Sequence, residues 1–207
     1  MRSRARALIL AAGEGRRFGG DKLHAPYRGR PLLTHVLEVV EAARRRGLID
    51  GGHLVVGAND DLARTWARRA DLETVINDAP ENGLSHSLRL GLAGLETSCP
   101  EEVGAALTFL GDQPLVRLET VEALLDRWHQ EAGDIFRPRY QANPDVPGHP
   151  VLLTRRTWRA AGRLRGDQGF AGLVTASSFK IVRVDVPGDN PDIDTRADLL
   201  GLEESPR

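Results

Sequence analysis

Short apolar runs alternate along the chain with longer stretches in which apolar residues recur every three or four positions. This exchange of periods predicts strands alternating with helices around a largely parallel sheet. The clearest strand is Ala5 to Leu10, which runs straight into the glycine-rich segment AAGEGRRFGGDK. Pro31 then opens a helix with Leu33, Val36, Leu37 and Val40 on one stripe. Further strands are expected at His53–Val56, Glu73–Ile76, Ala105–Leu110, Ile135–Pro138, Pro150–Leu153 and Lys180–Asp185. Helices are expected at Asp61–Arg69, at His86–Leu95 with Ser85 as N-cap, at Val116–Gln130, and in shorter form at Arg155–Ala161 and Gly169–Val174. Pro138 should stop its strand. YQANPDVPGH reads as loop, and DIDTRADLL as a turn into a terminal helix.

Composition narrows the classes. The 207 residues suit one domain, and 28 Lys plus Arg against 29 Asp plus Glu leave a formal net charge of -1. Neither nucleic acid nor a membrane surface is expected as a partner of so neutral a chain. Cys99 is the only cysteine, which excludes an internal disulfide and a thiolate metal cage and fits a cytoplasmic location. The basic start MRSRARALILAAGEGRR mimics a secretion signal, but its apolar stretch ends after about five residues, short of the roughly 7–15 required. No run reaches the roughly 18 apolar residues of a membrane span. The six histidines show no metal-ligand spacing, no GxSxG elbow surrounds a serine, and TSCPEE brings no base near Cys99.

Ligands of open parallel sheets bind beyond the carboxyl ends of the strands, which singles out three clusters. In Leu10-Ala11-Ala12-Gly13-Glu14-Gly15-Arg16-Arg17, continuing to Lys22, small residues let backbone amides approach a ligand while Arg16, Arg17 and Lys22 supply charge, as a triphosphate requires. It is neither a Walker loop, since Asp21 and Leu23 flank Lys22, nor a dinucleotide fingerprint, since Phe18 takes the third glycine position. In the second cluster, Gly111-Asp112-Gln113-Pro114, Asp112 either holds Mg²⁺ or closes an Asx-turn. In the third, Asp192-Ile193-Asp194-Thr195, alternation puts both acids on one side. They either face a cation, or one of them caps the last helix.

The loop LAAGEGRRFGGDK, the turn and helix ENGLSHSLRLGL, then LGDQP, GHPVLL and DIDTRADL, in this order, resemble the nucleotidyltransferases of the molybdopterin type, and most nearly the molybdenum cofactor cytidylyltransferases. The resemblance extends from Leu8 to Leu200 and implies a three-layer α/β/α Rossmann-like fold. It implies transfer of CMP from CTP to the phosphate of molybdopterin with Mg²⁺ or Mn²⁺, release of pyrophosphate, and a molybdenum hydroxylase as possible client. The nucleotide-binding half would run over about 5–115 and the acceptor-binding half over about 116–200. Lys22, Asp112 and Arg16 would be catalytic, with Asp112 and Asp194 on the metal. Leu10, Ala11, Ala12, Gly13, Gly15, Arg17, Asn59, Asp78, Gly83 and Ser85 would join Lys22 and Asp112 around the nucleotide, and Gln113, His149 and Asp192 would meet the acceptor. Ala12, where guanylyl-transferring relatives tend to carry Gly, favours CTP. His86, where relatives often have a small hydroxyl residue, and Arg196, where they often have Pro, leave the acceptor open. Rival readings are guanylyl or other NTP transfer to a different phosphorylated acceptor such as a sugar phosphate, a glycosyltransferase, which would usually present two acids where LGDQP has one, and a cofactor-carrying chaperone that releases no pyrophosphate.

Overall fold

The computed structural model describes residues 4–98, 103–166, 172–173 and 179–204. Cys99 and most of the helix expected at Gly169–Val174 lie outside these residues. The strands are β1 (Arg4–Ala11), β2 (Pro26–Tyr27), β3 (Arg30–Pro31), β4 (Gly52–Gly57), β5 (Glu73–Asn77), β6 (Val103–Leu110), β7 (Ile135–Tyr140), β8 (Val151–Thr154) and β9 (Ile181–Val186). The helices are α1 (Leu32–Arg45), α2 (Asp61–Arg69), α3 (Leu84–Ser98), α4 (Leu118–Gln130), α5 (Arg155–Ala161) and α6 (Arg196–Glu204).

Strand β1 lies inside the sheet because both its faces are apolar, with Ala5, Ala7, Ile9 and Ala11 on one side and Leu8 and Leu10 on the other. It pairs in parallel with β4 and β6, placing Ile9 between Leu54 and Phe109. The order β5-β4-β1-β6-β8-β7-β9 makes a mostly parallel sheet in which β8 runs antiparallel to both its neighbours. Helices α1, α2 and α4 pack on one face and α3 and α5 on the other, which gives three layers. The β2–β3 hairpin was not expected from the sequence. Among the described residues no helix is long and apolar enough to cross a membrane.

Two expectations are corrected. Helix α3 begins at Leu84, so Ser85 lies inside its first turn with 1% of its surface exposed rather than capping the helix from outside. Pro138 does not stop β7, which continues to Tyr140. Ile135 donates its N–H to the carbonyl of Lys180 on the β9 side, so the alternate amides, Pro138 included, turn towards β8. Pairing with β8 ends at Phe136, and there a missing N–H costs nothing.

Helix α3 sits unusually near β1. A Cβ on Gly91 would come within 2.3 Å of Leu8 Cδ1, so glycine sets the approach of the helix that fronts the cleft. A third apolar cluster, Phe18, Tyr27, Leu32, Ile193 and Leu199, fastens the glycine-rich loop to the last helix of the chain.

Candidate active site

The glycine-rich segment leaves β1 and turns on Gly15, whose φ of 60° favours a residue without a Cβ. The Gly15 carbonyl accepts the amides of Phe18, Gly19 and Gly20. The amides of residues 13–17 donate to no carbonyl among the described residues, so this stretch is free to receive anionic oxygens. Phe18, 3% exposed, is the anchor that holds the turn down, with the Arg196 guanidinium 5.1 Å above its ring.

The loop ends at Lys22, whose Nζ donates to Asp112 Oδ2 at 2.7 Å and to Asp194 Oδ1 at 3.3 Å. Asp112 follows β6 after Gly111. No backbone amide among the described residues donates to its carboxylate, so the ion pair with Lys22 and not an Asx-turn accounts for it. Asp194 is not the helix cap either: Thr195 Oγ1 accepts the Asp198 amide, while Asp198 Oδ2 accepts the amides of Thr195 and Asp194. That reciprocal capping box satisfies the start of α6 and leaves the Asp194 carboxylate to Lys22 and Arg17. The amide of Ile193 also donates to the Asp112 carbonyl, which ties the two acidic segments together.

Burial pushes the Lys22 ammonium down, but the charges of Asp112 and then Asp194 more than offset it, so the lysine is held above its ordinary pKa. Burial, followed by the Asp112 charge, holds the Asp192 carboxyl above the usual carboxylate range. Asp112 and Asp194 converge on one cation. Two carboxylates completed by phosphate oxygens and water are the donor set that Mg²⁺ or Mn²⁺ takes, so these residues fit a divalent ion that arrives with a nucleotide. Among the described residues no group of three or more His, Cys, Asp or Glu could hold a metal without substrate.

A cleft of about 650 Å³ opens at the carboxyl ends of β1 and β6. Leu10, Ala11, Ala12, Gly13, Gly15, Arg16 and Arg17 line one side, and Lys22, Gly83, Asp112, Asp192 and Asp194 also face it. Arg16 is paired with Glu14 at 2.6 Å, a partner the loop itself supplies.

Five expected residues lie elsewhere. Asn59 and Asp78 are exposed and do not line the cleft; Asp60 next to Asn59 is spent capping α2, and Asn77, not Asp78, turns inward to bond Ser87 Oγ at 2.9 Å. Ser85 is buried within the first turn of α3, and His149 is half-buried, its Nε2 shielded from solvent, close enough to Arg137 to feel its charge. Gln113 is buried too, donating to Asp192 Oδ1 at 2.8 Å and accepting from Asn190 Nδ2 at 3.3 Å. It holds an acidic side chain in place and does not itself face the cleft. Ser87 and Leu84 line the cleft unannounced, although their helical offset from Leu88 on the buried face of α3 carried the signal.

Residues 7–181 match the model of the MobA-like NTP transferase domain. Over 142 residues the chain is 33% identical to the bifunctional protein GlmU of Rhizorhabdus wittichii, covering 64% of this chain and 29% of that protein, so it spans under a third of the curated relative's length. Rv0371c of Mycobacterium tuberculosis superposes with a TM-score of 0.79 at 30% identity over 99% of this chain and 100% of the other. A complex of Rv0371c with manganese matches with the same score at 26% identity over 99% and 100% of the two chains. Molybdopterin-guanine dinucleotide biosynthesis protein A of Archaeoglobus fulgidus shares the fold at a TM-score of 0.64, 20% identity and 96% and 97% coverage. The matched span holds the glycine-rich loop, Lys22 and the strand-end Asp112, and the chain belongs to the MobA-like NTP transferase domain family.

Proposed function

We propose that this chain transfers CMP from CTP to the phosphate of a molybdopterin-type acceptor and releases pyrophosphate, with nucleotide bound by the half over about 5–115 and acceptor by the half over about 116–200. One observation carries the reading: Lys22, at the end of a loop with open amides, is clamped between Asp112 and Asp194 at the carboxyl ends of the strands. An acceptor phosphate oxygen attacks the α-phosphorus of the nucleotide, the α–β bridging bond breaks, and pyrophosphate leaves. The acceptor is already an anion and needs no strong base; the barrier is charge repulsion and the developing charge on the leaving group. The open amides of 13–17 and the Lys22 ammonium answer the second need, with Arg16 and Arg17 beside them. Asp112 and Asp194 would hold Mg²⁺ or Mn²⁺, which supplies the remaining positive charge between donor and acceptor phosphates. The manganese complex of Rv0371c supports a divalent ion.

Ala12 supports CTP, because its buried methyl narrows the cleft wall where a glycine would leave room for a larger base. A molybdenum hydroxylase is the client this product would serve. The test is pyrophosphate release with each of the four NTPs, Mg²⁺ and molybdopterin. CTP should be the productive donor, and Asp112→Ala should lose about 100-fold or more of the rate while its melting temperature stays near that of wild type. Turnover with GTP alone, or near-native turnover by the variant, would overturn the reading.

A further inference from the structure

Arg137 of β7 and Arg183 of β9 are register partners on adjacent parallel strands. Phe136, Tyr140, Val182, Val184 and Val186 all enter the core beneath α4, so the two arginines point to the opposite face, the one that carries α3 and the cleft. Two positions along, Arg139 is matched across the same strands by Asp185, Nη2 to Oδ2 at 2.9 Å. Arg137 and Arg183 have no such acid: neither donates to a carboxylate among the described residues. Arg137 is half-buried, and burial together with the Arg183 charge holds its guanidinium below the usual range. Like charges directly opposite one another in a sheet destabilise it. Neither arginine lines the cleft itself, but the pair lies on the same face of the sheet and concentrates positive charge beside it.

Position says which anion. The sheet order β6-β8-β7-β9 and a spacing of about 4.8 Å per strand place the pair about 10–14 Å to the side of the strand that carries Asp112. Along the strands it is level with Val151 and Thr108, just short of Leu110 at the cleft. A chain of hydrogen bonds joins the two places, from Asp192 through Gln113 and Asn190 to the carbonyl of His149, whose ring feels the Arg137 charge.

We propose that Arg137 and Arg183 bind an anionic group at the end of the acceptor remote from its reacting phosphate, so that the acceptor is a phosphate ester charged at both ends. This rests on the nucleotidyltransferase reading and adds the charge and span of its second substrate. The test compares hexyl phosphate with hexane-1,6-diyl bisphosphate by calorimetry on the full chain with Mg²⁺ and a non-hydrolysable CTP analogue. Wild type should bind the bisphosphate about tenfold or more tightly, the worth of a charge-assisted contact. The Arg137→Gln/Arg183→Gln variant should bind both esters alike while its affinity for the CTP analogue is unchanged, and Arg183→Gln, at an exposed position, should already lose part of the preference. Equal binding of the two esters by wild type, or a preference that survives the double substitution, overturns the proposal. Failure of the nucleotidyltransferase reading shows elsewhere, as absence of any NTP-dependent stabilisation and of pyrophosphate release.

Discussion

Single side chains in this protein carry more than one duty, and the polar ones near the cleft are mostly committed to each other. Gln113 shows why residue type alone misleads: next to a strand-end aspartate it reads as an acceptor ligand, yet its amide is consumed by Asp192 and Asn190. His149 shows the same for a histidine in a glycine–proline setting. Burial, then the Arg137 charge, lowers its pKa to about 3 from the ordinary 6.5, so it is neutral in the folded chain and charged in the unfolded one once the pH drops. The stability it contributes is present above about pH 6.5 and is lost as the pH falls from there towards about 3. The melting temperature of wild type should therefore fall more steeply than that of His149→Gln between pH 6.5 and 4, by the equivalent of up to about 1.4 kcal/mol per pH unit. Parallel slopes would mean that the imidazole is hydrated.

At the scale of elements, α3 and β1 set the depth of the cleft through Gly91. In an exposed helix, Gly→Ala stabilises by up to about 1 kcal/mol. Here the added methyl meets the end of Leu8, itself fully buried, so Gly91→Ala should instead destabilise by about 1–3 kcal/mol in urea unfolding and weaken nucleotide binding as α3 lifts. Strands and helices with strong periodicity, such as β1, α1 and α4, could be read directly from the chain, because burial on one stripe or on two faces leaves that mark. What could not be read were features decided by partners distant in sequence. Pro138 stays in β7 because of where β8 stops, Ser85 is inside α3 because capping there is not done by its hydroxyl, and the short β2–β3 hairpin has too few residues to show a period. At the site, the loop and the three acids stood out by composition, whereas the choice between cap and ligand for Asp194 turned on Asp198, which offers the same type of side chain four residues later.

For the molecule as a whole, the cleft is closed by the two ends of the described chain. Phe18 from the first loop and Leu199 from the last helix share one apolar cluster, and Arg17 and Asp194 form an ion pair across 177 positions of sequence. The carboxylate that completes the pair on Lys22 is thus in place only after the last helix has docked. Lys22 has a consequence for how ligands arrive. In the free protein its ammonium already pairs with both carboxylates, so a divalent ion entering alone competes with a tethered cation, and a nucleotide entering alone finds that cation engaged. Each ligand releases what the other needs, and reciprocity requires that each tighten the other by the same factor. Titrations of Mn²⁺ with and without CTP should therefore differ by about tenfold, whereas Lys22→Gln should bind Mn²⁺ alone more tightly and lose most of the difference. Identical isotherms for wild type would show that the lysine is a bystander; divergent ones would make it the latch that lets metal and nucleotide in only together.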